Sequence, residues 1–282
     1  MFTLIVENEN HEAMELTHND AYDVFKIDGL NPPTAGISTT EVVGLDGAIF
    51  NSSRVQQRNL VIYLNIKAPV EENRQKLYRF FRVKRKCKIY FKNANRDVFI
   101  EGYVESFEND LFGNTQQPQI SILCPQPFFK AIDEIVVEFS NTLALFEFPF
   151  AIEEDGIELS RIYKLTTRHI NIGDVETGAI ITFKANADQV LNPIFYNRTT
   201  NEFFGLNVAM SEGDTVIIDT VQGEKSARLI HDGAATNILS KRQTGSKWIQ
   251  FVPGENEISY AADEGANSLT VSVVAVQKYE GV

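Results

Sequence analysis

Leu60-Val61-Ile62-Tyr63-Leu64-Asn65-Ile66 places a branched aliphatic residue at every second position. A period of two sends those four side chains to one face and Val61, Tyr63 and Asn65 to the other, the pattern of a β-strand. Just beyond it the rhythm changes. Pro69 opens a segment with Glu71 and Glu72 in its first turn and Arg79, Arg82 and Lys84 towards its end, an order that complements a helix dipole. Leu77, Phe80 and Phe81 fall at i, i+3 and i+4, so the spacing predicts one helix at about residues 70–83, covering a sheet face.

Strand signals dominate on either side. Ile89-Tyr90-Phe91, Val98-Phe99-Ile100 and Ile120-Ser121-Ile122-Leu123 are further β-rich runs, and Gly44-Leu45-Asp46-Gly47 and Asn93-Ala94-Asn95 suit tight connections. Later runs at 135–139, 168–172, 179–184, 193–196, 203–208, 215–219, 226–231, 248–252, 257–260 and 269–276 are separated by turn residues. Many short strands without a long helix indicate a β-sandwich. The expected organisation is mostly β: a sandwich or split-barrel domain over residues 1–133 carrying the one helix, then a second sandwich over 134–282.

The chain has 282 residues and a formal net charge of −12. The charge is uneven. Residues 1–130 hold 15 basic and 16 acidic side chains, whereas 131–282 hold 11 and 22. An acidic total argues against sequence-specific nucleic-acid binding. No apolar run approaches the ~20 residues of a membrane span, and the start of the chain lacks the basic and apolar regions of a signal peptide. Cys87 and Cys124 read as reduced core residues of a chain folded in a cytosol.

Enzymatic signatures are lacking. His11-Glu12-Ala13-Met14-Glu15 has Glu where a zinc helix needs its second His, and Gly223-Glu224-Lys225-Ser226 lacks the glycine pattern of a phosphate loop. Glu153, Glu154, Asp155 and Glu158 read as a solvated acidic loop, and His169 and His231 as structural histidines. No catalytic residue, metal or cofactor is expected. The most informative polar feature is Arg74, Lys76, Arg79, Arg82, Lys84, Arg85, Lys86, Lys88, Lys92 and Arg96, a run of ten cations with no acid between them. It reads as a solvated helix face, as a nucleic-acid patch, or as a subunit contact meeting a neighbour's acids, such as Glu101, Glu105, Glu108 or Asp110.

The order of several stretches resembles a known family. Lys26-Ile27-Asp28-Gly29-Leu30-Asn31-Pro32-Pro33 precedes Gly44-Leu45-Asp46-Gly47-Ala48-Ile49-Phe50 and Arg54…Arg58. Asn73-Arg74-Gln75-Lys76-Leu77-Tyr78, Arg96-Asp97-Val98-Phe99-Ile100-Glu101-Gly102 and Gln119-Ile120-Ser121-Ile122-Leu123-Cys124-Pro125 follow. Asn171-Ile172-Gly173-Asp174, Gly213-Asp214-Thr215, Pro253-Gly254-Glu255-Asn256 and Tyr279-Glu280-Gly281-Val282 complete the series. This series is similar to the distal tail proteins of siphophages, the siphovirus tail component family. The resemblance implies a C-terminal galectin-like β-sandwich and a structural, non-enzymatic hub. It implies a hexameric ring of N-terminal domains at the distal end of the tail, assembled in the host cytoplasm. The implied partners are its own copies, the tail tube protein, a tail-tip protein or tail-associated lysin, and a receptor-binding protein, with DNA passing through the channel. Val190-Leu191-Asn192-Pro193-Ile194 keeps the Asn-Pro of the galectin sugar strand but not its His or Arg. The alternative is a cell-wall carbohydrate-binding adhesin in which Trp248 stacks on a sugar ring.

Overall fold

The computed structural model describes residues 2–44, 46–112, 116–140 and 166–282. The acidic group 153–158 lies outside the described residues. The chain divides into two compact units, Met1–Ile132 with Lys278–Val282, and Asp133–Gln277.

In the first unit, β1 (Thr3–Asn8), β2 (Ala13–Glu15), β3 (Tyr22–Asp28), β4 (Ala35–Glu41), β5 (Ala48–Val55) and β6 (Arg58–Ile66) lead to α1 (Val70–Phe80). Then come β7 (Lys86–Lys92), β8 (Asp97–Glu108), β9 (Gln119–Cys124) and the start of β10 (Phe129–Ser140). Seven of these strands pair antiparallel in the order β3-β6-β9-β8-β7-β1-β2. The alternation read at 60–66 is met in β6, where Arg58, Leu60, Ile62, Leu64 and Ile66 are all buried. Burying each such aliphatic side chain contributes about 1.5–3 kcal/mol. Against this core α1 presents Leu77, one turn after the buried Asn73. The Asn73 side-chain amide donates to Lys67 O (3.0 Å), and the Asn73 main-chain carbonyl accepts from the Tyr22 hydroxyl (3.1 Å). A polar residue thus occupies a helix position that periodicity alone assigns to an apolar one.

The helix stops three residues before the expected end. Phe81 caps it, donating its N–H to Leu77 O (2.8 Å), and Lys84 takes a left-handed backbone at φ 70°. The Lys84 N–H then bonds Val104 O (2.8 Å), which pulls the chain out of the helix and into β7.

Arg58 shares the inward face of β6 with the aliphatics, so its charge needs partners inside the core. Its Nε donates to Pro127 O (2.6 Å), Nη1 to Asn31 O (2.7 Å) and to Gly29 O, and Nη2 to Glu280 O (2.6 Å). The guanidinium lies 4.6 Å from the Phe129 ring centroid. Gly29 has φ 90°, and a Cβ there would stand 2.2 Å from Asn59 O, so glycine alone fits this bend. The same unit also holds the returning end of the chain. Arg96 stacks on Tyr279 (4.3 Å) and donates to Gly281 O, and the Val282 N–H bonds Leu30 O (3.2 Å).

The second unit contains β11 (Thr166–Asn171), β12 (Ala179–Ala185), β13 (Val190–Leu191), β14 (Ile194–Asn197), β15 (Glu202–Gly205) and β16 (Ala209–Met210). β17 (Thr215–Asp219), β18 (Ser226–His231), β19 (Ala234–Asn237), β20 (Gly254–Ala261) and β21 (Leu269–Tyr279) complete it. Two sheets, β19-β18-β17-β12-β21 and β11-β20-β14-β15, share one core. Inward residues alternate along β12 and β21, and Phe183, Phe195, Phe204 and Phe251 are fully buried. This is a β-sandwich, and the molecule is mostly β.

One expected strand is absent. Residues 248–252 alternate in burial but make only an isolated bridge from Phe251 to Thr177. Buried asparagines take the place of a ladder: Asn197 donates to Gln250 O (3.0 Å), Asn171 to Phe251 O (2.9 Å) and Asn256 to Val252 O (2.7 Å). The burial pattern of a strand survives while, apart from that bridge, its hydrogen bonds come from side chains.

Two substitutions test this packing. A Cβ at Gly102 would lie 2.7 Å from Ile122 Cγ2 and 2.8 Å from Cys124 Sγ, so Gly102→Ala is expected to cost about 1–3 kcal/mol by overpacking. Arg58→Lys leaves at least one buried carbonyl unpaired, at about 1–3 kcal/mol each. Lower denaturant midpoints at unchanged slope check both.

Candidate assembly surface

The ten cations do not share one face. On α1, Arg74 pairs with Glu71, donates to Gln116 Oε1 (3.2 Å) and sits 5.9 Å from the Tyr78 ring. Lys76 pairs with Glu72 at 2.9 Å. Lys86, Lys88 and Lys92 stand on the outer side of β7, opposite the buried Cys87, Ile89 and Phe91. Lys86 meets Glu101 (2.8 Å), Lys92 meets Asp97 (2.8 Å), and Lys88 lies over the Phe99 ring (3.8 Å). Arg85 reaches Glu9 (3.3 Å), and Arg96 is committed to Tyr279 and Gly281.

Three cations remain turned to solvent. Arg82 Nε donates to Arg79 O (3.2 Å), and neither Arg79 nor Lys84 meets an acid among the described residues. Of the acids expected in a neighbour's surface, Glu101 is taken within the chain. Burial raises its carboxyl pKa, but the hydrogen bond from Lys86 and the charges of Lys86, Lys130 and Lys88 outweigh that and hold it below the usual value. Glu105 accepts from Ser121 Oγ (2.9 Å).

A second surface is apolar. β4 and β5 form a hairpin, from Ala35↔Val55 to Glu41↔Ala48, that pairs with no other strand among the described residues. Ile37 is 65 % exposed, Phe50 62 % and Val43 at the tip fully so. A lone two-stranded hairpin is marginal in water, and clustered exposed apolar groups mark a contact surface. Gly44 and Gly47 signal a turn in the sequence, but no local pattern there shows that the flanking strands stand apart from the sheet. At the β8–β9 loop Phe112 is 99 % exposed as well.

Trp248 is half-buried against the second core. Phe204 lies 4.9 Å from it, and Lys225 and Arg242 lie 5.7 and 6.0 Å from its ring. Its surroundings are thus an aromatic ring and two cations of its own chain. Burial pushes the thiols of Cys87 and Cys124 up to about 12, which keeps both protonated and unreactive at neutral pH. Among the described residues no three His, Cys, Asp or Glu side chains are placed to hold a metal ion, and no helix is long and apolar enough to cross a membrane.

The two structural histidines behave oppositely. His169 is fully buried beside Phe251 (4.6 Å), with neither ring nitrogen hydrogen-bonded, and burial lowers its pKa from 6.5. His231 is exposed and bonds the buried Asp214 carboxylate (2.6 Å). That hydrogen bond, with the charges of Asp214 and Asp232, raises its pKa from 6.5.

Comparison with known proteins agrees with this architecture. Residues 9–124 match the phage tail protein RIFT-related domain, and residues 172–274 match the siphovirus-type tail component, C-terminal domain. Together these two matches cover most of the chain and identify it as a siphovirus-type phage tail component, whose place is the virion tail tip. Among solved structures it is similar to the Dit protein of phage SPP1, described as a paradigm of the hub adsorption apparatus in phages infecting Gram-positive bacteria. The two share 12 % identity over 99 % of each chain, with a TM-score of 0.70. It is also similar to a chain of the phage p2 baseplate in its activated conformation with strontium (7 % identity, 100 % of both chains, TM-score 0.55). The calcium form of that baseplate gives 10 % identity over 100 % of both chains and a TM-score of 0.52. No curated protein sequence matches the chain.

The histidines give a test with a worked sign. A raised folded-state pKa stabilises fully below 6.5 and ceases to do so as pH rises through the folded value, so the excess stability of wild type over His231→Ala is expected to disappear on the alkaline side. A lowered one costs nothing above 6.5 and progressively more below it, so His169→Leu is expected to resist acid where wild type weakens. Stability against pH for the three proteins checks both.

Proposed function

We propose that this chain is the ring-forming hub at the distal end of a siphophage tail. Six copies close a ring through their first units, joining the tail tube protein on one side to a tail-tip protein or tail-associated lysin on the other and leaving a channel for DNA. The second units hold a receptor-binding protein. The chain acts by contact and carries out no chemistry.

The observation that carries this reading is the bare β4–β5 hairpin. Its apolar side chains find no cover among the described residues, and a ring offers it through the next copy. Closed cyclic symmetry needs heterologous contacts, one surface of each copy meeting a different surface of the next. A projecting arm supplies one half of such a contact. The acidic second unit keeps neighbouring copies apart through like charge.

Mass-resolved chromatography and electron microscopy of the purified chain are expected to give a six-fold ring at six times 31.8 kDa. Replacing residues 35–55 by a short Gly-Ser turn is expected to leave a folded chain of lower mass. A ring that persists without the hairpin refutes the arm's role.

A further inference from the structure

We infer that an open cleft beside Phe2 receives the basic turn carrying Arg82, Val83 and Lys84 of a second copy. This contact rests on the ring reading and names a pair of surfaces within it. The cleft has a volume of about 570 Å³, and its lining includes Phe2, His18, Asp20, Tyr22, Asp23 and Lys67. Its aromatic walls are fixed: Phe2 stacks on Phe91 (5.6 Å), and the buried Tyr22 is anchored by its hydroxyl to Asn73 O. Asn19 braces the rim, donating to Glu15 O (2.8 Å) and accepting from the Ala21 N–H (2.8 Å). Asp20 and Asp23 are exposed, and neither meets a cation among the described residues.

The basic turn is the complement. Val83 is 51 % exposed and is flanked by Arg82 and Lys84, with Arg79 nearby. The Lys84 N–H bond to Val104 O fixes the turn's shape. An apolar tip between cations thus matches an aromatic cleft that carries Asp20 and Asp23, while Lys67 at the same rim is turned to Asn19 O (3.5 Å).

The two surfaces lie beyond opposite ends of the β1–β7 ladder. Along the β1–β7 ladder, Thr3↔Lys92 adjoins the Phe2 cleft, and Asn8↔Cys87 adjoins the turn. Five residues at ~3.4 Å each separate these ends by about 17 Å, so the surfaces do not meet within one chain. Between copies they meet head to tail, the arrangement that ring closure demands. Opposite charge then sets register and speeds encounter.

The test uses the full-length chain. A zero-length carbodiimide joins a carboxylate directly to an amine, and a link between Lys84 and Asp20 or Asp23 is expected between isotopically light and heavy copies. The pair Asp20→Lys with Asp23→Lys, and the pair Arg82→Glu with Lys84→Glu, are each expected to weaken association at least tenfold while the chain stays folded by circular dichroism. All four changes in one chain are expected to restore the ring. A wild-type ring that tolerates either reversal overturns this contact and leaves the hub reading standing. So does a loss that the four-fold exchange fails to repair, which assigns the cleft to another occupant. A wild-type chain that stays at monomer mass at every concentration overturns the hub reading and this contact with it.

Discussion

The guanidinium of Arg58 holds the first unit together. A buried charge is tolerated only when it is fully hydrogen-bonded, and here the acceptors are main-chain carbonyls of Gly29, Asn31, Pro127 and Glu280. These belong to three stretches of chain far apart in sequence: the connection after β3, the one after β9, and the segment following β21. One side chain therefore sets where the hairpin leaves the sheet, where β10 begins and where the end of the chain docks. An apolar replacement would remove the charge but leave those carbonyls without donors.

Much of this architecture is written in local pattern. The period of two in β6, the single helix and the short strands of the second unit are all visible as alternating or helical spacing, because a half-buried sheet imposes that spacing directly. The role of Arg58 was also within reach: it sits two residues before Leu60, on the same inward face. What local pattern does not carry is satisfaction from a distance. Of the buried asparagines that replace a ladder at 248–252, Asn256 is local, but Asn171 and Asn197 act across 80 and 53 residues, and nothing near Trp248 announces them. The exposure of the β4–β5 hairpin is hidden for a similar reason, since its residues read as ordinary strand and only pairing shows that it stands alone.

The cation run shows how sequence proximity and spatial proximity diverge. Ten basic residues without an intervening acid suggest one patch, yet a helix and an antiparallel strand send them in different directions. Seven then find acids or rings of their own unit, two of them on α1 itself and four on other strands. Exposed pairs of this kind are worth about 0–1 kcal/mol each, so they tune the surface without building the fold. The charge balance of the molecule is likewise local: a near-neutral first unit keeps a few cations free, and the second carries almost the whole net charge.

The docking of residues 278–282 onto Arg58, Arg96 and Leu30 has a consequence for the timing of biosynthesis. The first unit emerges from the ribosome first, but its final segment arrives only after residues 133–277 have been made. At ~5–20 residues per second that interval is roughly 7–30 s, during which the Arg58 site lacks one of its four carbonyl partners. A chain interrupted anywhere in the second unit never supplies that partner. The fold thereby ties completion of residues 1–132 to translation of residues 278–282, and a chain without them has an unfinished first unit.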